Sequence, residues 1–395
     1  MNAAIQRIAI HRLAIPMKVR FAHAAGRRDT SEPLMVEVEL TDGTLGFGET
    51  HPRPYVTGET VESAAEAIET IFAPSLLSVN PDSFPAALEA VSELPFAAPD
   101  GKCIAAARAG VELALLDAYS RHFRRSVDEA AGWMGLPNFG RPGSAGRVRY
   151  SGVLGAGPPA QLRRSLFKQR LFGLRDFKLK VALPDDEARL ATVLHVLGAK
   201  LRSGRATVRL DANGGWDYQT AVEQLEQLTD QPIACVEEPL STEHVAHLPE
   251  LRRRVRLPLM ADESLITYEQ GRNLIDQQAV DLFNIRVSKN GGFLPAMRLA
   301  GLARQAGLGY QIGCMVGETS LLSAIGRRLL QLVPGVCFAE GSFGAFLLRN
   351  DVVAKPVRFG YGGRFRPLDG LGWGVEVRAD KLARLARDPP RVLHL

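Results

Sequence analysis

The chain has 395 residues, a formal net charge of +5, 46% hydrophobic and 23% charged residues. That balance is ordinary for a globular protein, and its length points to two domains, one of them large enough for a barrel of about 250 residues. Lys and Arg are scattered apart from short runs such as Arg252-Arg253-Arg254, read as a solvated helix face, so no nucleic-acid partner is expected.

The N-terminal stretch IQRIAIHRLAIP is too short and too interrupted by charge for a secretory apolar segment, and no apolar run reaches the roughly 18 residues of a membrane span. Cys103, Cys235, Cys314 and Cys337 lie far apart without a Cys-x-x-Cys pair, which favours free thiols, Cys235 and Cys314 being placed in buried runs. A cytoplasmic protein with no membrane contact is expected.

Alternating apolar residues predict strands over 4–15, 34–40 and 44–49, with a turn at Thr41-Asp42-Gly43. Helical spacing follows over 60–78, 82–94, 103–123 and 126–135. Strands first and helices after imply an α+β domain over 1–140, ending in the Gly/Pro/Ser-rich stretch 137–146. From 147 to 345 strand and helix alternate. Eight strands are predicted at 148–154, 176–182, 207–212, 233–238, 258–262, 280–288, 308–314 and 336–340, with helices after the first seven. Several are apolar on both faces, as a buried parallel sheet requires. The expected fold is α/β, a (β/α)8 barrel with an N-terminal α+β domain and a segment 346–395 returning toward that domain.

Lys180, Asp211, Glu237, Asp262 and Lys289 recur at steps of 31, 26, 25 and 27 residues, each ending a predicted strand. In such barrels chemistry sits at the C-terminal strand ends. Asp211, Asp262 and either Glu237 or Glu238 therefore bring three carboxylates to one rim. Hard oxygen donors suit Mg2+, with Mn2+ as a substitute; no His or Cys stands at the matching positions, which argues against zinc. Lys178 and Lys180 share one strand face, so Lys178 is expected to tune the charge state of Lys180, the base. Lys289 is placed across the barrel as the second base. Together these groups describe proton removal beside a carboxylate, with charge passing to the oxygens as an enediolate.

The motifs Lys178-x-Lys180, Asp211-x-Asn213, Glu237-Glu238-Pro239, Asp262-Glu263 and Lys289-Asn290-Gly291-Gly292, with the closing segment PLDGLGWGVEV at 367–377, resemble the enolase superfamily. Within it they are similar to the muconate-lactonizing (muconate cycloisomerase) subgroup. The resemblance implies an enolase-type modified TIM barrel and a capping domain whose loops, 19–29 and 50–60, close over the barrel mouth. It implies that Glu237 is the metal ligand of its pair, that the substrate is a small carboxylate, and that the chain forms a homo-oligomer. The implied activities are cycloisomerase or racemase/epimerase. A lyase of the o-succinylbenzoate synthase type and a non-catalytic descendant are the rivals. Dipeptide epimerases usually carry Asp-x-Asp on the eighth strand where this chain has Glu340-Gly341-Ser342. Glu340 and Glu318 are candidate substrate contacts, Glu318 alternatively capping the following helix. Arg27, Arg28 and Arg53 either bind a second substrate carboxylate or are solvated loop charges.

Overall fold

A computed structural model describes residues 3–23, 26–141 and 148–395, without the side chains of residues 19–28. The N-terminal unit is built on an antiparallel sheet of β1 (Ile5–Arg12), β4 (Leu34–Leu40) and β5 (Leu45–Thr50). Helix Ala105–His122 lies on it and is buried at almost every position, which fits its small and apolar composition. The approach is close: a methyl group added at Gly48 would lie 2.2 Å from the Gly110 carbonyl oxygen.

Residues 15–31, expected as strand end and loop, form a second antiparallel ribbon of β2 (Ile15–His23) and β3 (Gly26–Ser31). β2 alternates Ile15, Met17, Val19 and Phe21 with other residues, a signal the strand expected to end at residue 15 stops short of, whereas the Arg-rich β3 has no such alternation. The ribbon reaches the barrel, with Met17 bridging Leu348 and the Ser31 hydroxyl donating to the Gly317 carbonyl at 2.7 Å.

The second unit is a parallel sheet of β6 (Gly152–Leu154), β7 (Asp176–Lys180), β8 (Thr207–Asp211), β9 (Val236–Glu237), β10 (Leu259–Ala261), β11 (Leu282–Ile285), β12 (Gly309–Ile312) and β13 (Phe338–Ala339), hydrogen-bonded in that order. Its two edges meet where Ser151 N donates to Ala339 O at 2.8 Å beside a Tyr150–Ala339 parallel bridge. Seven helices join successive strands on the outside, as α/β layering requires. β14 (Arg391–His394) pairs with β1, and Trp373 donates its indole N–H to Leu113 O, so the last segment packs on the N-terminal unit.

Two buried carboxylates of the N-terminal unit cap barrel helices. Glu112 accepts from Phe293 N at 2.9 Å and Leu294 N at 2.8 Å, at a helix whose N-cap, Gly292, has no side chain to offer. Glu49 accepts from Thr319 N at 2.7 Å and Leu322 N at 2.9 Å. Each satisfies helix-end N–H groups that would otherwise be buried without partners. The two units are thereby fixed to each other beside the barrel mouth. No helix among the described residues is long and apolar enough to cross a membrane.

Candidate active site

A cavity of about 530 Å3 opens at the C-terminal ends of the barrel strands. Its polar floor carries Lys178, Lys180, Asn213, Glu263, Arg286, Glu318 and Glu340, and Arg53 and Tyr55 enter from loop 50–60 of the N-terminal unit.

β7 places Lys178 and Lys180 on the cavity side and Leu179 in the surrounding core, as the two-residue period of a strand dictates. Lys180 Nζ lies 2.6 Å from Asp211 Oδ2 and 2.6 Å from Asn213 Oδ1. Lys178 sits deeper, 3.1 Å from Asp211, 3.2 Å from Glu237 and 2.8 Å from Glu340. Burial favours its neutral form, but the carboxylates of Glu237, Glu340 and Asp211 outweigh this and raise its pKa. Lys178 is thus a fixed positive charge beneath Lys180.

Asp211 and Glu237 are register partners on β8 and β9, and with Asp262 they are fully buried. Burial raises the Asp211 pKa, yet Lys180 and Lys178 together hold it well below the usual carboxylate range. Glu237 also accepts from Asn284 Nδ2 at 2.8 Å and Gln311 Nε2 at 3.3 Å. Glu238 turns away with a positive φ of 39° and accepts from Asp262 N at 2.7 Å, so it braces the next strand.

Lys289 is not on the cavity wall. β11 ends at Ile285, and the chain then turns through residues 287–290. Lys289 is carried beneath the rim, fully buried, where its Nζ donates to Asp262 O at 2.6 Å, Asp262 Oδ1 at 2.9 Å and Asn284 O at 2.9 Å, while burial and the Arg286 charge lower its pKa. The expectation that it flanks a substrate is corrected: it is a strut under the Asp262 loop. Extending the strand through residue 288 put it at the wrong phase. Arg286, two residues beyond the inward-facing Asn284, occupies the rim position instead.

The Arg286 guanidinium pairs with Asp262 Oδ2 and lies 3.6 Å from Glu263 and 4.0 Å from Glu237. Among the described residues no three acidic, His or Cys side chains are gathered as a coordination shell, because Lys178, Lys180 and Arg286 stand between the carboxylates. The donor chemistry still suits a hard divalent cation: three buried carboxylates at the ends of consecutive strands, with Glu263 Oε2 beside them making no hydrogen bond.

Glu318 lines the cavity, and among the described residues its carboxyl accepts from Met315 N at 3.3 Å and Ser323 Oγ at 3.0 Å. Burial, and then the nearby Glu49 carboxylate, push its pKa up to about 8. Glu340 is held by Lys178 and by Arg209 Nη2 at 2.7 Å. Arg53 is buried and donates to Pro52 O and to His51 Nδ1, both at 3.2 Å, so it is no solvated loop charge. The side chains of Arg27 and Arg28 lie outside the described residues. Cys314, read as buried in a strand, is half-buried on the cavity wall. The polar interior formed by Asn284, Gln311 and Arg209 escaped the sequence reading, although Asn284 and Arg286 share the two-residue period that would have found them.

Residues 7–132 match the family model described as mandelate racemase / muconate lactonizing enzyme, N-terminal domain, and residues 161–381 match that of the enolase C-terminal domain-like family. Muconate cycloisomerase 1 of Rhodococcus opacus is 29% identical over 376 residues, 91% of this chain and 92% of that protein. A hydrophobic dipeptide epimerase of Enterococcus faecalis is 26% identical, over 80% of this chain and 84% of its own length. The crystal structure of 2-chloromuconate cycloisomerase from Rhodococcus opacus 1CP superposes with a TM-score of 0.83 at 27% identity, covering 98% of this chain and 100% of that one. These relatives are isomerases, and members of this family are generally dependent on a divalent metal. The chain belongs to the mandelate racemase / muconate lactonizing enzyme family of the enolase superfamily.

Proposed function

We propose that the protein is an isomerase that uses Lys180 to remove the proton beside a small substrate carboxylate, passing through an enediolate. The observation that carries this reading is the position of Lys180. It stands on the cavity wall with its ammonium oriented by Asp211 and Asn213, while Lys178 below it stays charged. Asp211, Glu237 and Asp262 are the residues that would hold Mg2+, with Mn2+ as a substitute. A divalent cation there supplies positive charge where the substrate oxygens become negative.

Arg286 supports one isomerase type over the other. A guanidinium holds its protons too tightly to act as a base, but it is well suited to bind and neutralise a carboxylate. With Lys289 under the rim and Lys178 held charged by its carboxylates, Lys180 is the amine proposed for proton transfer. A single base delivers and removes protons on one face. This favours a cycloisomerase, whose ring closure and opening need one face, over a racemase or epimerase, which must move a proton between faces.

A lyase of the o-succinylbenzoate synthase type is the second reading. Glu318, held protonated at neutral pH, is a proton donor for a departing hydroxyl on the same cavity wall. Incubation with Mg2+ and a panel of carboxylic acids in deuterated water tests both. A new ring supports the first and loss of water the second. Failure of any acid to exchange in the wild-type protein, with Mg2+ bound, contradicts both. A cytoplasmic homo-oligomer is part of the same proposal, on the strength of the family likeness, and light scattering of the purified protein checks the assembly.

A further inference from the structure

The upper half of the cavity is unlike its floor. Phe359, from the segment after the last barrel strand, is the hub of an aromatic wall: its ring lies 5.5 Å from Phe343, 5.1 Å from Phe346 and 6.0 Å from Phe172. All four line the cavity. Phe343, Phe346 and Phe359 come from the stretch after the last barrel strand and Phe172 from the end of the helix after the first, and nothing in the proton-transfer chemistry uses them. Phe172 and Phe346 are each more than a third exposed, although an aromatic ring gains by being covered. A volume of about 530 Å3 falls in the range of roughly 300–1,000 Å3 that holds larger organic ligands.

The same cavity offers little to a substrate cation. Glu340 is already paired with Lys178 and Arg209, at 2.8 and 2.7 Å. Glu263 Oε1 accepts from Asn213 Nδ2 at 3.2 Å and lies 3.6 Å from Arg286, and only its buried Oε2 is left without a hydrogen bond. The Glu318 carboxyl is occupied by Met315 N and Ser323 Oγ. Arg53 and Lys168 add positive charge to the wall.

We infer that the substrate is a carboxylate bearing an aryl or similarly bulky apolar group, and that any nitrogen it carries is acylated rather than a free ammonium. The inference rests on the cavity and base of the proposed function. The carboxylate is drawn to the floor cations and the aryl group covers the rings around Phe359.

The test is calorimetric titration of the K180M variant, with Mg2+ present, using N-benzoyl-alanine, N-acetyl-alanine, the free dipeptide Ala-Phe and cis,cis-muconate. Removing the lysine separates binding from turnover. Burial of a phenyl ring predicts binding of the benzoyl compound about tenfold or more tighter than the acetyl one. The free dipeptide should bind more weakly than the benzoyl compound despite its own ring. Adding F359A should collapse the benzoyl-to-acetyl ratio toward unity. F346A, at an exposed ring, should reduce the same ratio if F359A does not fold. Equal affinity for the two acyl compounds, tightest binding of muconate, or tightest binding of the free dipeptide would each overturn the inference. An aryl preference in binding, with no deuterium exchange in the wild-type protein, would contradict the lysine chemistry and leave the aryl site standing.

Discussion

Lys180 Nζ lies 2.6 Å from Asp211 Oδ2, so the candidate base and a candidate metal ligand are held together by the register of β7 and β8. Lys180 is 11% exposed on the cavity side, so its removal leaves no sealed void. K180M is expected to lower kcat/KM by about 10²–10⁴-fold, the usual range for loss of a general base. Its thermal midpoint should stay near that of the wild type. Steady-state kinetics and a melting curve on the same preparation check both parts; a stable variant with full turnover would remove Lys180 from the chemistry.

Lys289 should behave in the opposite way. It has 0% side-chain exposure and binds the Asp262 carboxylate and two carbonyl groups. Burial and the neighbouring Arg286 charge lower its pKa, so K289M mainly leaves buried acceptors without their donor, which typically costs about 1–3 kcal/mol. Urea unfolding should show that loss. If K289M unfolds like the wild type yet is inactive, Lys289 has a chemical role that its position does not suggest.

Arg286 gives a gain-of-function prediction. R286K puts an amine at the rim position where the native chain has a guanidinium. The variant should acquire slow racemisation or epimerisation, read as loss of optical rotation with uptake of solvent deuterium, while R286M should lose substrate binding. Rapid racemisation by the wild type would show that a second base already exists.

Glu112 links stability to pH. Burial, the largest influence, pushes its pKa up to about 7 against the opposing charge of Arg108 and the N–H groups of Phe293 and Leu294. The folded value lies above the ordinary 4.5, so the contribution to stability is full below about pH 4.5 and is lost as pH rises through about 7. E112Q removes this titration. The unfolding free energy of the wild type relative to E112Q should fall across that window and level off above it. A constant difference from pH 4 to 8 would contradict the assignment.

The barrel period made the rim carboxylates legible, because a strand–helix repeat returns the chain to the same end at nearly even intervals. Strand alternation likewise placed Lys178 and Lys180 on one face. Alternation failed where the strand stopped: Ile285 ends β11, and one turn of chain separates Arg286 on the wall from Lys289 beneath it. The β2–β3 ribbon was legible only on its first strand, where Ile15, Met17, Val19 and Phe21 alternate; β3 (GRRDTS) has no apolar alternation and is set by its pairing and by contact with the barrel mouth. The helix caps Glu49 and Glu112, and the contact of Phe172 with Phe359, join residues far apart in sequence, so no local pattern announces them.

Lys180 acting as the single base of the site has a distinct isotopic and stereochemical signature. Its most direct test is wild-type protein with Mg2+ and a substrate of one configuration in deuterated water, followed by chiral analysis and mass measurement of the recovered acid. One deuterium with configuration retained, and no label with K180M, is the predicted result. Labelled acid of both configurations, or label that persists in K180M, would contradict it.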